Sequence, residues 1–180
     1  MSDNLNSQIS LNITPRHAYA PEDFVLHSGV SELVEHHCSI FGAGKFAIGF
    51  VVGDKRSGKT HLSIRFADDF GKRGVFPRLI EGHEFANFLA SGAGDFTRDD
   101  ILIVDDAQNY FSMLIPGQSG PFVAIIEALR VAQSGIIFLS DRDVSQFAFD
   151  EHVHSRLNPG TGMRIAEPCE GDMPEIIRVI

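Results

Sequence analysis

Eight residues restrict this chain's fold more than any others: Gly53, Asp54, Lys55, Arg56, Ser57, Gly58, Lys59 and Thr60. They satisfy G-x-x-x-x-G-K-[ST], a loop whose glycines let backbone N–H groups turn inward around a polyphosphate. The flanks suit such a loop. Ahead of it, Phe46-Ala47-Ile48-Gly49-Phe50-Val51-Val52 is an apolar run of buried-strand length. Behind it, His61 to Phe70 places Leu62, Phe66, Ala67 and Phe70 on one helical face. Strand, glycine loop and helix would aim the loop amides and the helix N-terminus at one ligand. Residues 53–60 are therefore candidates for holding ATP or ADP, with Lys59 reaching the β- and γ-phosphates and Thr60 directing its hydroxyl at Mg²⁺. A chance Gly-rich turn is the bland alternative, and the full match in this setting outweighs it.

A second stretch answers the first. Ile101-Leu102-Ile103-Val104-Asp105-Asp106 reads as a buried strand ending in two carboxylates. Ligands of open parallel sheets collect at the carboxyl ends of strands. Asp105 is thus expected to face Mg²⁺ beside Thr60, and Asp106 to orient an attacking water. By itself an acidic turn after a strand would decide nothing; the phosphate loop upstream gives it meaning.

The 180 residues fit one domain with a substantial core. A formal charge of −9 argues against a surface built to grip nucleic acid strongly, so any such role would run through a protein partner. No apolar run approaches the ~18 residues of a membrane span. The first residues, M-S-D-N-L-N-S-Q, have neither the basic nor the apolar part of a leader, which suggests a cytoplasmic protein. Cys38 and Cys169 lack metal-ligand spacing and are expected as free thiols.

Along the chain, residues 1–13 form a polar tail with a small apolar island from Gln8 to Ile13. The alternation Ile9, Leu11, Ile13 would also suit an edge strand. Ser31 to His37 reads as a helix capped by Ser31 or Ser28. Val75 to Ile80 is predicted as a strand, and His83 to Ala90 as a helix with Phe85, Phe88 and Leu89 inward. Asn109 to Gly120 reads as irregular. Phe122 to Ala132 is an amphipathic helix, and Gly135 to Ser140 a buried strand ending at Asp141. Val144 to Phe147 and Glu151 to Leu157 are short helical pieces, Met163 to Ala166 a last strand, and Pro174 to Ile180 the start of a helix. Repeated β-α units predict an α/β fold with a parallel sheet and helices on both faces.

Eight histidines raise a metal reading. His36 and His37 are adjacent on a helix and cannot point the same way, His152 and His154 are two apart, and H-E-x-x-H is absent. Exposed histidines are expected instead. No G-x-S-x-G elbow supports a nucleophilic serine. Arg156, after the fourth core strand on a short helix, could be supplied to a neighbour's γ-phosphate, although a lone helical arginine is commonly just solvated or salt-bridged.

Taken together, G-K-T-H-L, I-L-I-V-D-D-A-Q, F-L-S-D-R-D and H-S-R-L-N-P-G resemble the AAA+ ATPase domain of the bacterial replication initiator DnaA and its relative Hda. The resemblance runs from about residue 8 to about residue 170. It implies a P-loop NTPase three-layer sandwich with a five-stranded parallel sheet. It also implies Asp106 as the water-orienting carboxylate, Asp141 at the sensor-1 position, Arg156 as an arginine finger, and Tyr19 to Val25 near the adenine. Hda-type proteins begin with a sliding-clamp-binding peptide, and Gln8-Ile9-Ser10-Leu11-Asn12 looks like one, with Asn12 where proline or phenylalanine is expected. The resemblance therefore implies a flexible tail over 1–13, an AAA+ core over 14–180, and partnership with a DnaA-type initiator and the clamp; a homo-oligomer is compatible with it. The family's helical lid, with its sensor-2 arginine, would begin where this sequence stops, so the lid is expected to be absent or truncated. Weak intrinsic ATPase activity follows from that expectation. A helicase-loader-like scaffold and a small-molecule P-loop kinase are the alternatives.

Overall fold

The computed structural model describes residues 24–41, 44–92 and 95–179. Gln8, Ile9, Ser10 and Leu11 lie outside the described residues, as do Tyr19 to Asp23 of the segment expected beside the adenine.

Five strands make one parallel sheet: β1 (Ala47–Val52), β2 (Phe76–Glu81), β3 (Asp100–Asp105), β4 (Gly135–Ser140) and β5 (Thr161–Arg164). Their spatial order is β2-β3-β4-β1-β5. The central strands β3 and β4 are buried along their whole length, as expected of strands covered on both faces. Pro77 cannot donate a ladder hydrogen bond, and it sits on edge strand β2, where that loss is tolerated.

Side chains alternate between two cores with the two-residue period of a strand. Ile48, Phe50, Leu102, Val104, Ile136 and Phe138 enter one, beneath α3 (Gly82–Ala90), α4 (Gln108–Phe111), α5 (Gly120–Ala132) and α6 (Glu151–Leu157). Val51, Ile101, Ile103, Ile137 and Leu139 enter the other, beneath α1 (Ser28–Phe41) and α2 (Lys59–Lys72). A further helix, α7 (Met173–Val179), follows a 3₁₀ turn at Glu170–Asp172.

The topology fixes where a ligand can sit. From β1 the chain crosses through α2 to the far edge at β2, returns through β3 to β4, and then crosses β1 to reach β5. The crevice at the carboxyl ends of β1 and β4 is therefore the switch point of a doubly wound sheet.

Several expectations need correction. Helix α1 runs from Ser28 and is longer than the predicted Ser31–His37. Neither serine caps it: His27 Nδ1 accepts from the Gly29 N–H at 3.1 Å, while Ser28 Oγ is drawn 2.8 Å to Asp172 Oδ2 of the late segment. The stretch read as irregular from Asn109 begins with α4, because Tyr110 and Phe111 bury their rings against Phe85 and Phe138. The last strand is Thr161–Arg164, two residues earlier than predicted.

The histidines are not all exposed. His37 is fully buried, its ring stacked 6.1 Å from Phe41 and tilted 5.5 Å from Phe66, with Nδ1 2.9 Å from the Leu33 carbonyl. It fits because Gly49 lies beneath it; a Cβ there would come within 2.8 Å of the imidazole. Burial pushes the His37 pKa down to about 4, so the ring is neutral at neutral pH. Both thiols are free, Cys38 buried and Cys169 exposed.

Candidate functional site

The loop between β1 and α2 is folded around its lysine. Lys59, only 7% exposed, donates from Nζ to the carbonyls of Gly53 and Asp54, each at 3.0 Å. The Gly53 N–H donates to the Ser140 carbonyl at 3.0 Å, which ties the loop to the end of β4. Gly58 enters α2 with φ 87°, a conformation that costs a non-glycine residue about 1 kcal/mol or more. No side chain caps α2. Its first N–H groups are thus left for an anion, which suits the positive end of the helix dipole.

The facing wall comes from β3 and β4. Asp105 is buried at the last position of β3. Burial pushes its carboxyl above the usual carboxylate range, and the neighbouring Asp106 adds to that. A hydrogen bond from Thr60, the Asp106 N–H at 3.0 Å and the Lys59 charge pull the other way. Ser63 Oγ stands 3.4 Å from Asp105 Oδ2. Asp106 then leaves the strand in a left-handed conformation, φ 48°, with Gly82 so close that any Cβ there would collide with the Asp106 carbonyl. This turn swings the Asp106 carboxylate away from Asp105 and toward Gln108. Gln108 Nε2 donates to Asp106 Oδ1 at 3.0 Å, and Gln108 Oε1 accepts the Asp141 N–H at 3.2 Å. One amide thereby spans the ends of β3 and β4.

Between the walls lies a cavity of about 490 Å³, within the range of small-molecule sites. The loop side contributes Lys55, Arg56, Gly58, Lys59 and Thr60, followed by His61 of α2; the far side contributes Asp106, Gln108 and Asp141. The predicted Asp106 and Asp141 are thus brought together with the loop. Asp105 sits beneath, in contact with Thr60. Gly53, Asp54 and Ser57 build the loop's base without lining the cavity. Gln108 and His61 also line it, although the motifs D-D-A-Q and G-K-T-H-L that contain them assign them no role. Of the predicted adenine segment, Phe24 lies near the loop. Its ring comes within 3.7 Å of where a Gly58 Cβ would stand.

These residues fit a magnesium nucleotide. Thr60 and Asp105 present hard oxygens side by side, and no side chain caps the start of α2. Among the described residues no group of three or more His, Cys, Asp or Glu side chains could hold a metal on its own. Any Mg²⁺ here would depend on phosphate oxygens as further ligands, as is usual for that ion.

Arg156 stands elsewhere. It lies on α6, does not line the cavity, and has Nε 3.2 Å from Glu127 Oε1 of α5, close enough for an ion pair without hydrogen-bond alignment. Asp150 caps α6, accepting from the Val153 N–H at 2.9 Å, and also binds the Gly117 N–H at 3.0 Å and Ser119 Oγ at 2.7 Å. Those three donors hold its pKa down to about 2 and pin the loop that follows α4 to the base of α6.

Solved structures share this fold. A DNA replication initiation factor matches with TM-score 0.67 and 24% identity over 89% of this chain, which spans 53% of that chain. Domain III of the Thermotoga maritima replication initiation protein DnaA matches with TM-score 0.66 and 21% identity, over 89% of this chain and 72% of that one. AMPPCP-bound DnaA from Aquifex aeolicus matches with TM-score 0.62 and 25% identity, over 83% of this chain and 50% of that one.

The chain has the AAA+ fold of P-loop ATPases.

It spans about half the length of two of these three structures. Neither a protein-family model nor a curated protein sequence matches it. Among the described residues no helix is long and apolar enough to cross a membrane.

Proposed function

We propose that this AAA+ core binds ATP or ADP with Mg²⁺ and regulates replication initiation in the manner of Hda. Bound to the sliding clamp through Gln8 to Leu11, it presents Arg156 to ATP held by a DnaA-type initiator and promotes hydrolysis there. In its own cavity Lys59 and the loop amides hold the phosphates. Thr60 and Asp105 hold the metal, which shields phosphate charge. Asp106, steadied by Gln108, orients water, and Asp141 borders the terminal phosphate.

The observation that carries this reading is the separation of the two parts. A cavity with both walls in place is formed without Arg156, while Arg156 sits on a different helix layer, available to a neighbour's nucleotide once released from Glu127. An arginine delivered in this way stabilises charge that develops on the transferring phosphoryl group. The likeness to DnaA folds supports a partner from replication initiation.

The test is phosphate release from ATP-loaded initiator with DNA-loaded clamp, on adding the wild type or Arg156→Ala. Stimulation by the wild type and its loss in the variant is the expected result. No change with either protein, while the chain still binds nucleotide, would sink the regulatory role and leave only the nucleotide-binding core.

A further inference from the structure

The phosphate loop contains a residue that its geometry does not favour. Arg56 has φ 65°, in the left-handed region where glycine is unstrained and an arginine is not. The loop's own fold gains nothing from that side chain: among the described residues Arg56 has no ion-pair or hydrogen-bond partner. Arg56 instead lines the cavity.

Charge gives the reason for an arginine there. Lys55, Arg56 and Lys59 line the loop side of the cavity, and Asp106 and Asp141 line the far side. Lys59, assigned above to the phosphates, is shared with the carbonyls of Gly53 and Asp54. A diphosphate seated on the loop amides would stay near the positive side. A terminal phosphate extends toward the two carboxylates and adds negative charge beside them, which a cation additional to Lys59 and any Mg²⁺ would offset. A guanidinium is suited to that task, since its planar fork can donate to two phosphate oxygens at once.

We infer that Arg56 is a specificity-determining residue that makes this site favour a nucleoside triphosphate over the diphosphate. The inference rests on the nucleotide reading given above and adds which phosphate state the site selects. Strain in the loop is retained because the side chain meets the terminal phosphate, in line with the general placement of strained residues at ligand clamps.

Calorimetric titration of the whole chain with Mg·AMPPCP and with Mg·ADP tests it, using wild type, Arg56→Asn and Arg56→Lys. Asparagine tolerates the left-handed conformation, so the loop should keep its shape and ligand-free thermal stability should not fall. Arg56→Asn is expected to weaken Mg·AMPPCP roughly ten-fold and Mg·ADP less than about three-fold, with Arg56→Lys between wild type and Asn. Equal weakening of both ligands, or no weakening of either, would overturn the inference while leaving the nucleotide site standing. Failure of the wild type to bind either ligand would overturn the nucleotide reading itself, and this inference with it.

Discussion

The two faces of the sheet are built differently. The face under α3, α4, α5 and α6 is a nearly continuous aromatic cluster. Phe138 alone meets Phe50, Phe85, Phe111 and Phe122 at centroid distances of 5.0–6.3 Å. The face under α1 and α2 is more aliphatic and has a buried neutral histidine packed against Phe41 and Phe66. The second face anchors the phosphate loop through α2, whereas the first supports α6 and Arg156. The phosphate loop and Arg156 thus rest on separate layers joined by the central strands. Changes to one layer should leave the other's task intact unless the shared sheet fails.

Phe138→Ala attacks the sheet from the aromatic side and should have the largest effect. It removes a fully buried ring from the centre of the cluster, with an expected loss of about 3–5 kcal/mol in denaturant unfolding. A loss below about 1 kcal/mol would mean that the aromatic face is loosely packed and the contrast between layers false.

The buried histidine makes the other face pH-sensitive. In the unfolded chain His37 takes up a proton near its ordinary 6.5, whereas in the folded protein it resists until about 4. The unfolded state therefore binds more protons across that window. Stability is fully present above about 6.5 and declines as pH falls toward 4, by about 3 kcal/mol in total from this group. In His37→Leu, unfolding measured between pH 4 and 7 should lose that part of the slope. An unchanged slope would place the pH dependence elsewhere.

Lys59→Ala confines the damage to the loop. Nucleotide affinity should fall about 100-fold, on the scale of a lost charge-assisted contact, with far-UV circular dichroism unchanged. Unchanged affinity would show that the cavity is not where nucleotide binds.

The smallest effect is the sharpest test of separation. Arg156→Ala should alter affinity for Mg·AMPPCP by less than about two-fold, since distant sites without shared partners behave independently. A ten-fold loss would place Arg156 in its own chain's site and abolish the division between layers.

Much of this was legible in the sequence because it depends on neighbours along the chain. The phosphate loop announces itself through fixed glycine spacing. The runs at Ile101 and Gly135 read as buried strands because strands covered on both faces need no polar alternation. The pairing of Asp105 with Thr60 followed once Asp105 was placed at a strand's carboxyl end and Thr60 where the phosphate loop enters its helix. Pattern could not supply contacts across the sheet. His37 carries no mark of burial, and only the packing of α1 over Gly49 removes it from water. Ser28 looked like a cap, yet the late segment provides Asp172 for its hydroxyl and leaves His27 to cap α1.

What the sequence determined by itself was the α/β alternation, the loop that turns toward phosphate, and the identity of the two carboxylates at the end of β3. Those depend on backbone propensity, apolar period and glycine position, all local quantities. Only the tertiary structure decided that Gln108, thirty-three residues before Asp141, bridges it to Asp106, and that Arg156 stands apart from the cavity and pairs with Glu127. Such contacts are set by strand order and layer packing, which bring distant side chains within hydrogen-bonding reach and leave no periodic trace in the chain.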